Sequence, residues 1–493
     1  MKEKPLKYLP WLILIFGAVL RIGQFIFNRS VTEGEAALAL NIIDRSYAGL
    51  LKPLDLVQAA PYGFLVIQKT MLNIFGNNDY SLRIVPFIAG LFALGLFWRF
   101  AKGVLAGPSL AAGLLLFSVA DQLIYFSSEL KQYSTDVMAG LLIAILIVSV
   151  IKNGFNRGNF VGLAFCCGLG IWFSHPVLFF LAAGGILLLS RAIKRRDHAF
   201  LLPWLALVLI FGVSLWANYR LSLRALASSR DFLDFWRYAF MPIPPRSFAD
   251  LKWFGLTFLR VFRNPGGFPI YLIPVAGAFF ILGLMRMVRN KAWECWILIL
   301  PVFVALLASG FHKYPFDGRL LLFILPALFV LIAGGVETVI ANGRRPAQAI
   351  GWVLALIMIV PVLGIASYRL IVPRQPEELR PVMRFLKAQH CEGDAVYLYY
   401  AAVNGFNYYR RQMAFHPDDV RPGIESRTDP ASYLRDLKRM AGRPRVWIVF
   451  SHIANWGGTD EERIFLDYLD RLGRRLGSFR ASGAGAYLYD LRR

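Results

Sequence analysis

The chain has 493 residues, 57% of them hydrophobic and only 17% charged, with a formal net charge of +23. Soluble domains are about 45–50% apolar and about 25% charged, so an ordinary soluble globule is excluded. The basic excess points either to a nucleic-acid partner or to the cytoplasmic loops of a membrane protein, and its distribution along the chain decides between them.

The N-terminus, MKEKPLK, is basic and leads into an apolar run at 8–27. Arg21 interrupts that run and no small-residue cleavage site closes it, so it reads as a retained helix rather than a signal peptide. Ten further apolar runs follow, at 82–100, 104–124, 134–151, 159–173, 175–191, 200–217, 269–285, 295–311, 319–339 and 348–368. About 20 apolar residues cross a bilayer. The expected fold is therefore a polytopic α-helical membrane protein of about eleven spans.

With the N-terminus inside, the inside loops are WRFAKG, IKNGFNRG, SRAIKRRDH, MRMVRNKAWE and ANGRRPA, whose only acids are Asp197 and Glu294. Short Lys/Arg-rich loops face the cytoplasm. The five agree on one register, which places the protein in the inner (plasma) membrane and explains much of the charge without nucleic acid. The outside segments are 28–81, SSELKQYS, FSHP, 217–268, SGFHKYPFDGR and everything after 372. The four cysteines show neither disulfide nor metal-ligand spacing, and no cofactor is expected.

Beyond Pro373 the composition turns polar. PEELRPVMRFLKAQH has helical spacing, and DAVYLYY, RVWIVFS and AYLYDL read as strands. DPASYLRDLKRM and TDEERIFLDYLDRL read as helices capped by Asp429 and Thr459. The chain is expected to divide into a membrane domain, 1–372, and a small extracytoplasmic α/β domain, 373–493.

Ionisable residues collect at the outer level. The first outside segment begins NRSVTEGEAALALNII, with Glu33 and Glu35 two apart. Acids there either cap a helix, where its dipole favours them, or do chemistry, and the helix after them reads as amphipathic and membrane-lying. The hairpin SSELKQYSTDV holds Glu129, Lys131, Gln132, Tyr133 and Asp136; HKYPFDGR holds His312, Lys313, Tyr314, Asp317 and Arg319; FSHP adds His175. Lys and Tyr also serve as plain interfacial anchors. Together the groups suit a reaction between a lipid phosphate and a polar acceptor. Lys131, Lys313 and Arg319 would grip the phosphate, and a carboxylate would deprotonate the acceptor hydroxyl. Arg83 and the intramembrane Arg21 are further suspects, although Arg21 would also fit a snorkelling role.

EGEAALALNIIDRS, QAAPYGFLVIQKTMLNIFGNNDYSLRIVP, YFSSELKQYSTDV and HKYPFDGRLLLFILP, in that order, resemble the GT-C membrane glycosyltransferases of the protein O-mannosyltransferase, aminoarabinose-transferase and Rgt-like type. The resemblance covers roughly residues 8–370. It implies transfer of a sugar from a polyprenyl-phosphate donor to a lipid, glycan or protein acceptor on the far side of the membrane. The family carries an Asp-Glu pair in its first outer loop. Here Gly34 stands where the Asp is expected, Glu35 matches the Glu, and Glu33 is the stand-in for the missing acid. The resemblance makes Glu35 the first choice for the base, then Glu33, with Glu129 next. Gln58 opens the loop 58–64, which resembles the family's return toward the membrane. The rival readings are a lipid-linked sugar transporter, which would need a polar path through the spans, and a membrane assembly protein, which would not need clustered acids and cations.

Overall fold

A computed structural model describes residues 4–224, 230–290, 293–342, 345–427, 429–453, 455–456 and 459–492. Two of the basic loops run through residues outside this set, 291–292 and 343–344.

The chain is a multi-pass helical membrane protein. Among the described residues nine helices are long and apolar enough to cross a bilayer, and Gly107–Val119 and Arg157–Phe173 are shorter apolar helices. These eleven coincide with the eleven expected runs. The first is α1 (Lys4–Phe27); three more elements matter for the site, α2 (Glu33–Asp44), α3 (Tyr62–Phe75) and α4 (Asp79–Ala101). The helix Leu325–Asn342 runs through the centre of the bundle, its span being the most buried of all. It meets the helix Ile273–Arg289 backbone to backbone. A Cβ on Gly283 would stand 1.8 Å from the Leu331 carbonyl oxygen, and one on Gly335 1.8 Å from that of Phe279. Small residues allow such close crossings where apolar lipid gives helices little reason to associate.

Arg21 neither snorkels nor meets an acid. It is buried, and it donates to the carbonyls of Gly17 at 2.9 Å and Ser118 at 3.0 Å. Ser118 lies in the last turn of Gly107–Val119, so the guanidinium satisfies carbonyls that a helix end leaves unpaired.

The C-terminal part is a five-stranded mixed sheet flanked by helices. Its strands are β1 (Ala395–Leu398), β2 (Asp419–Pro422), β3 (Val446–Ser451), β6 (Arg474–Ala481) and β7 (Ala484–Asp490), in the order β2-β1-β3-β7-β6; β4 (Asn455–Trp456) and β5 (Thr459–Asp460) form a separate pair. β1 runs parallel to β2 and β3, and β7 antiparallel to β3 and β6. Every residue of β1 and β3 is buried, as in strands covered on both faces. Side chains alternate between faces: Ala395 and Tyr397 join one core with Phe465 and Leu469, while Val396 and Leu398 join another with Leu379 and Phe406. That second core continues through Val31, Leu38 and Ile42 of the first outer segment, so the C-terminal sheet and α2 share one hydrophobic interior. The last helix, Glu461–Leu472, is capped by Asp460, which accepts from the Arg463 amide, and not by the expected Thr459.

Candidate active site

The outer segment enters α2 through Thr32. Its hydroxyl accepts from the Glu35 amide while the Glu35 carboxylate accepts from the Thr32 amide, a reciprocal capping box. Successive helix positions step by about 100°, so Glu33 and Glu35 face different ways. The helix does not lie on the membrane as expected. Residues 35–42 are buried, packed between the membrane helices and the C-terminal part.

Glu35 is fully buried and saturated. Its Oε2 accepts from Arg29 Nη1 at 2.6 Å, Arg83 Nη2 at 2.9 Å and the Thr32 amide at 3.0 Å; its Oε1 accepts from Arg83 Nε at 3.0 Å and the Leu130 amide at 2.9 Å. Burial alone would push this carboxyl up, but the Arg29 and Arg83 charges hold it well below the usual carboxylate range. A carboxylate without a free lone pair, and so reluctant to take a proton, is a structural anchor. These surroundings favour an anchoring role for Glu35 over the role of base expected from the resemblance.

Glu33 points the other way and is half-buried. Its Oε1 accepts from Asn404 Nδ2 at 2.7 Å, and among the described residues its Oε2 has no hydrogen-bond partner. Its backbone amide donates to Glu377 Oε2 at 2.7 Å, and Glu377 Oε1 lies 2.7 Å from His452 Nδ1.

Lys131 sits over the first turn of α2. A Cβ on Gly34 would be 3.9 Å from its Nζ, and that Nζ donates to Gln58 Oε1 at 2.6 Å. Burial, and next the Arg319 charge, lower the Lys131 ammonium to about 8. Gln58 follows Leu56 and Val57, two exposed residues with φ of 61° and 54°. A β-branched residue in the left-handed region is a genuine outlier, and such strain collects at functional sites. Arg319, solvent-exposed, lies within hydrogen-bonding reach of Tyr133. Glu129 is buried with its Oε2 3.5 Å from Arg29 Nη2, and burial followed by the Glu35 charge raises its carboxyl above the usual range.

The structure thus brings Glu33, Gln58, Glu129, Lys131, Tyr133 and Arg319 together. Three expected members stand apart. Tyr314 gives its hydroxyl to the Leu320 carbonyl at 2.7 Å and its ring to Phe179, so it packs the bundle. His175 is lowered to about 4 by burial and carries no charge for a phosphate at neutral pH. Lys313 is exposed, on the hairpin beyond Tyr314. Among the described residues no group of three or more His, Cys, Asp or Glu could hold a metal ion.

Several residues escaped the sequence reading. Arg29 and Asp79 carry no motif. Asp79 bolts the C-terminal part down, accepting from Tyr408 at 2.8 Å, Tyr409 at 3.0 Å, Gln412 at 3.0 Å and Arg380 at 3.0 Å. Asn404, Glu377 and His452 lie more than 300 positions from Glu33, and no local signal links them to it. One signal was present: Thr32-Glu33-Gly34-Glu35 is the capping-box pattern, which assigns Glu35 to the cap.

Residues 59–216 match the family model of dolichyl-phosphate-mannose-protein mannosyltransferase. No curated protein matches the chain in sequence. Solved structures that share its fold include two bound to a lipid phosphate. ArnT from Cupriavidus metallidurans bound to undecaprenyl phosphate aligns over 97% of this chain and 98% of its own, at 13% identity and a TM-score of 0.56. The Archaeoglobus fulgidus oligosaccharyltransferase AglB, in complex with an inhibitory peptide and a dolichol-phosphate, aligns over 98% of this chain and 74% of its own, at 10% identity and a TM-score of 0.51. The chain has the GT-C membrane glycosyltransferase fold.

Proposed function

We propose that the protein transfers a sugar from a polyprenyl-phosphate donor to an acceptor hydroxyl at the extracytoplasmic face of the membrane, and that residues 373–493 form a domain on that face. The observation that carries this is Lys131, over the first turn of α2, with Arg319 to one side of it and to the other a carboxylate, Glu33, that has an oxygen to spare. Lys131 and Arg319 grip the donor phosphate. Glu33 Oε2 takes the proton from the acceptor hydroxyl as its oxygen attacks the anomeric carbon. The bond from that carbon to the phosphate oxygen breaks, and the cations stabilise the negative charge that develops there. Gln58 holds Lys131 over the α2 turn, Tyr133 orients Arg319, and Glu129 balances the cations from below. The family match and the lipid phosphates bound to ArnT and AglB support the choice of donor.

The test uses purified protein in lipid vesicles with radiolabelled polyprenyl-phosphate sugars. Release of polyprenyl phosphate and appearance of a glycosylated acceptor are expected. Movement of the intact lipid-linked sugar across the vesicle without its consumption would establish the transporter reading instead. Topology is checked by reporter fusions at Arg196 and at the C-terminus, expected on opposite sides of the membrane.

A further inference from the structure

At the seam where Glu377 takes the Glu33 amide lies a cavity of about 360 Å³ lined from the C-terminal side, by Glu377, His452, Ile453, Asp460, Glu462 and Arg480 among others. Its volume falls within the range of small-molecule sites, about 300–1,000 Å³. The hairpin joining β6 to β7 closes one wall: a Cβ on Gly483 would stand 2.0 Å from the Pro376 carbonyl oxygen, and Gly483 has φ of +64°. Glu377 belongs to this cavity and to the base at once, since one of its oxygens faces His452 and the other takes the Glu33 amide. His452 holds a left-handed φ of 52° and keeps half of its side chain exposed. Arg480 pairs with Glu462 at 2.7 Å but remains two-thirds exposed.

The two sides of Glu33 differ in sign. On the membrane side stand the cations Lys131 and Arg319, fit for a phosphate. On the seam side stand three carboxylates, those of Glu377, Asp460 and Glu462, against one guanidinium and one imidazole. An anion entering the seam would meet more carboxylates than cations, which disfavours it. Sugar hydroxyls, which both donate and accept, suit carboxylates beside an arginine. We infer that the seam cavity is the acceptor subsite, and that it takes a hydroxyl-rich sugar without anionic groups, neutral or amino-bearing, as the end of a glycan or the head of a glycolipid. The inference rests on Glu33 as the base for its assignment to the acceptor, while the electrostatic sorting is a property of the cavity itself. Opposite fields on the two sides of one base would keep the donor phosphate and the acceptor in their own pockets.

The experiment reads binding without donor, so it is independent of turnover. Full-length protein in nanodiscs is applied to immobilised neutral, amino-bearing, phosphorylated and sulfated oligosaccharides, and the same neutral sugars are offered as glycolipids within the disc. Retention of neutral or amino-bearing sugars is expected, and preference for the free or the lipid-borne form names the source. Arg480→Ala should weaken retention about tenfold, the equivalent of one charged hydrogen bond. Asp460→Asn keeps a good helix cap and should relax discrimination against phosphorylated sugars severalfold. Failure to retain any uncharged or amino sugar, equal retention of anionic ones, or indifference to both variants would overturn the subsite. If Glu33→Gln keeps both sugar binding and turnover, the base assignment fails while the binding site stands.

Discussion

Glu33 and Glu35 open the same turn of α2 and live in opposite surroundings. The inner side is closed: Glu35, Arg29 and Arg83 are buried and pair mainly with one another and with backbone carbonyls. The outer side is reachable: Glu33 keeps an oxygen in reserve and is steadied by Asn404 at one end and Glu377 at the other. One carboxylate holds the loop, hairpin and helix together so that the other can be presented. Burial with full pairing suits a carboxylate to a structural role, and partial exposure with a spare oxygen leaves it available to a ligand.

The largest effect that would break this comparison is on rate. Glu33→Gln keeps shape and removes the base, and general-base loss costs about 10²–10⁴ in turnover. In a transfer assay on purified protein, melting behaviour should stay close to that of the parent. Near-full turnover in Glu33→Gln together with a collapse in Glu129→Gln would move the base to Glu129, whose raised carboxyl otherwise suits the task.

Next comes stability. Glu35→Gln removes the carboxylate that both buried guanidiniums share and leaves Arg29 only its longer contact with Glu129; breaking a buried pair costs about 3–5 kcal/mol. Against a typical total of about 5–15 kcal/mol, that should lower the melting temperature strongly or prevent recovery of folded protein. A folded, fully stable and inactive Glu35→Gln protein would reverse the roles assigned to the pair.

The same contrast shows what was legible before the structure. Spans are written in long apolar runs, and among the described residues each of the eleven runs is an apolar helix, nine of them long enough to cross a bilayer. The central strands β1, β3 and β7 are continuous apolar stretches and were also found. The edge strands were missed for physical reasons. β2 is Asp419–Pro422 and ends in proline, which removes a ladder donor, and β6 carries Arg474, Arg475 and Arg480 along a mostly exposed edge. The helix Val403–Gln412 was missed as well, and with it Asn404. Within the site, residues close in sequence were legible as candidates, but their roles were not. Direction around a helix decides between cap and catalyst, and partners such as Glu377 and His452 reach Glu33 only through the tertiary fold.

A smaller effect sharpens the outer side. Lys131→Ala and Arg319→Ala should each weaken binding of polyprenyl phosphate about tenfold, since one charged hydrogen bond contributes about 1.5–3 kcal/mol and about 1.4 kcal/mol is tenfold. Lys313→Ala, on the exposed hairpin, should leave binding unchanged. Equal affinity in all three variants would remove the phosphate grip from this cluster.

The smallest effect is in the pH dependence of that grip. In the free protein Lys131 is lowered to about 8, first by burial and then by Arg319. Its ammonium is therefore present below pH 8 and lost as the pH rises through 8. A bound phosphate favours the charged form, so donor affinity should be level near pH 7 and fall between pH 8 and 10, by no more than the Lys131→Ala variant loses outright. Lys131→Arg keeps its charge throughout this range, because a guanidinium stays protonated up to about pH 12. Its affinity should be flat with pH, though weaker wherever the Gln58 contact is misplaced. Lys131→Ala should be flat and weak. A decline above pH 8 that survives in Lys131→Arg would assign the titration to another group and take Lys131 out of contact with the phosphate, leaving it as a strut between α2 and the strained Leu56–Gln58 loop.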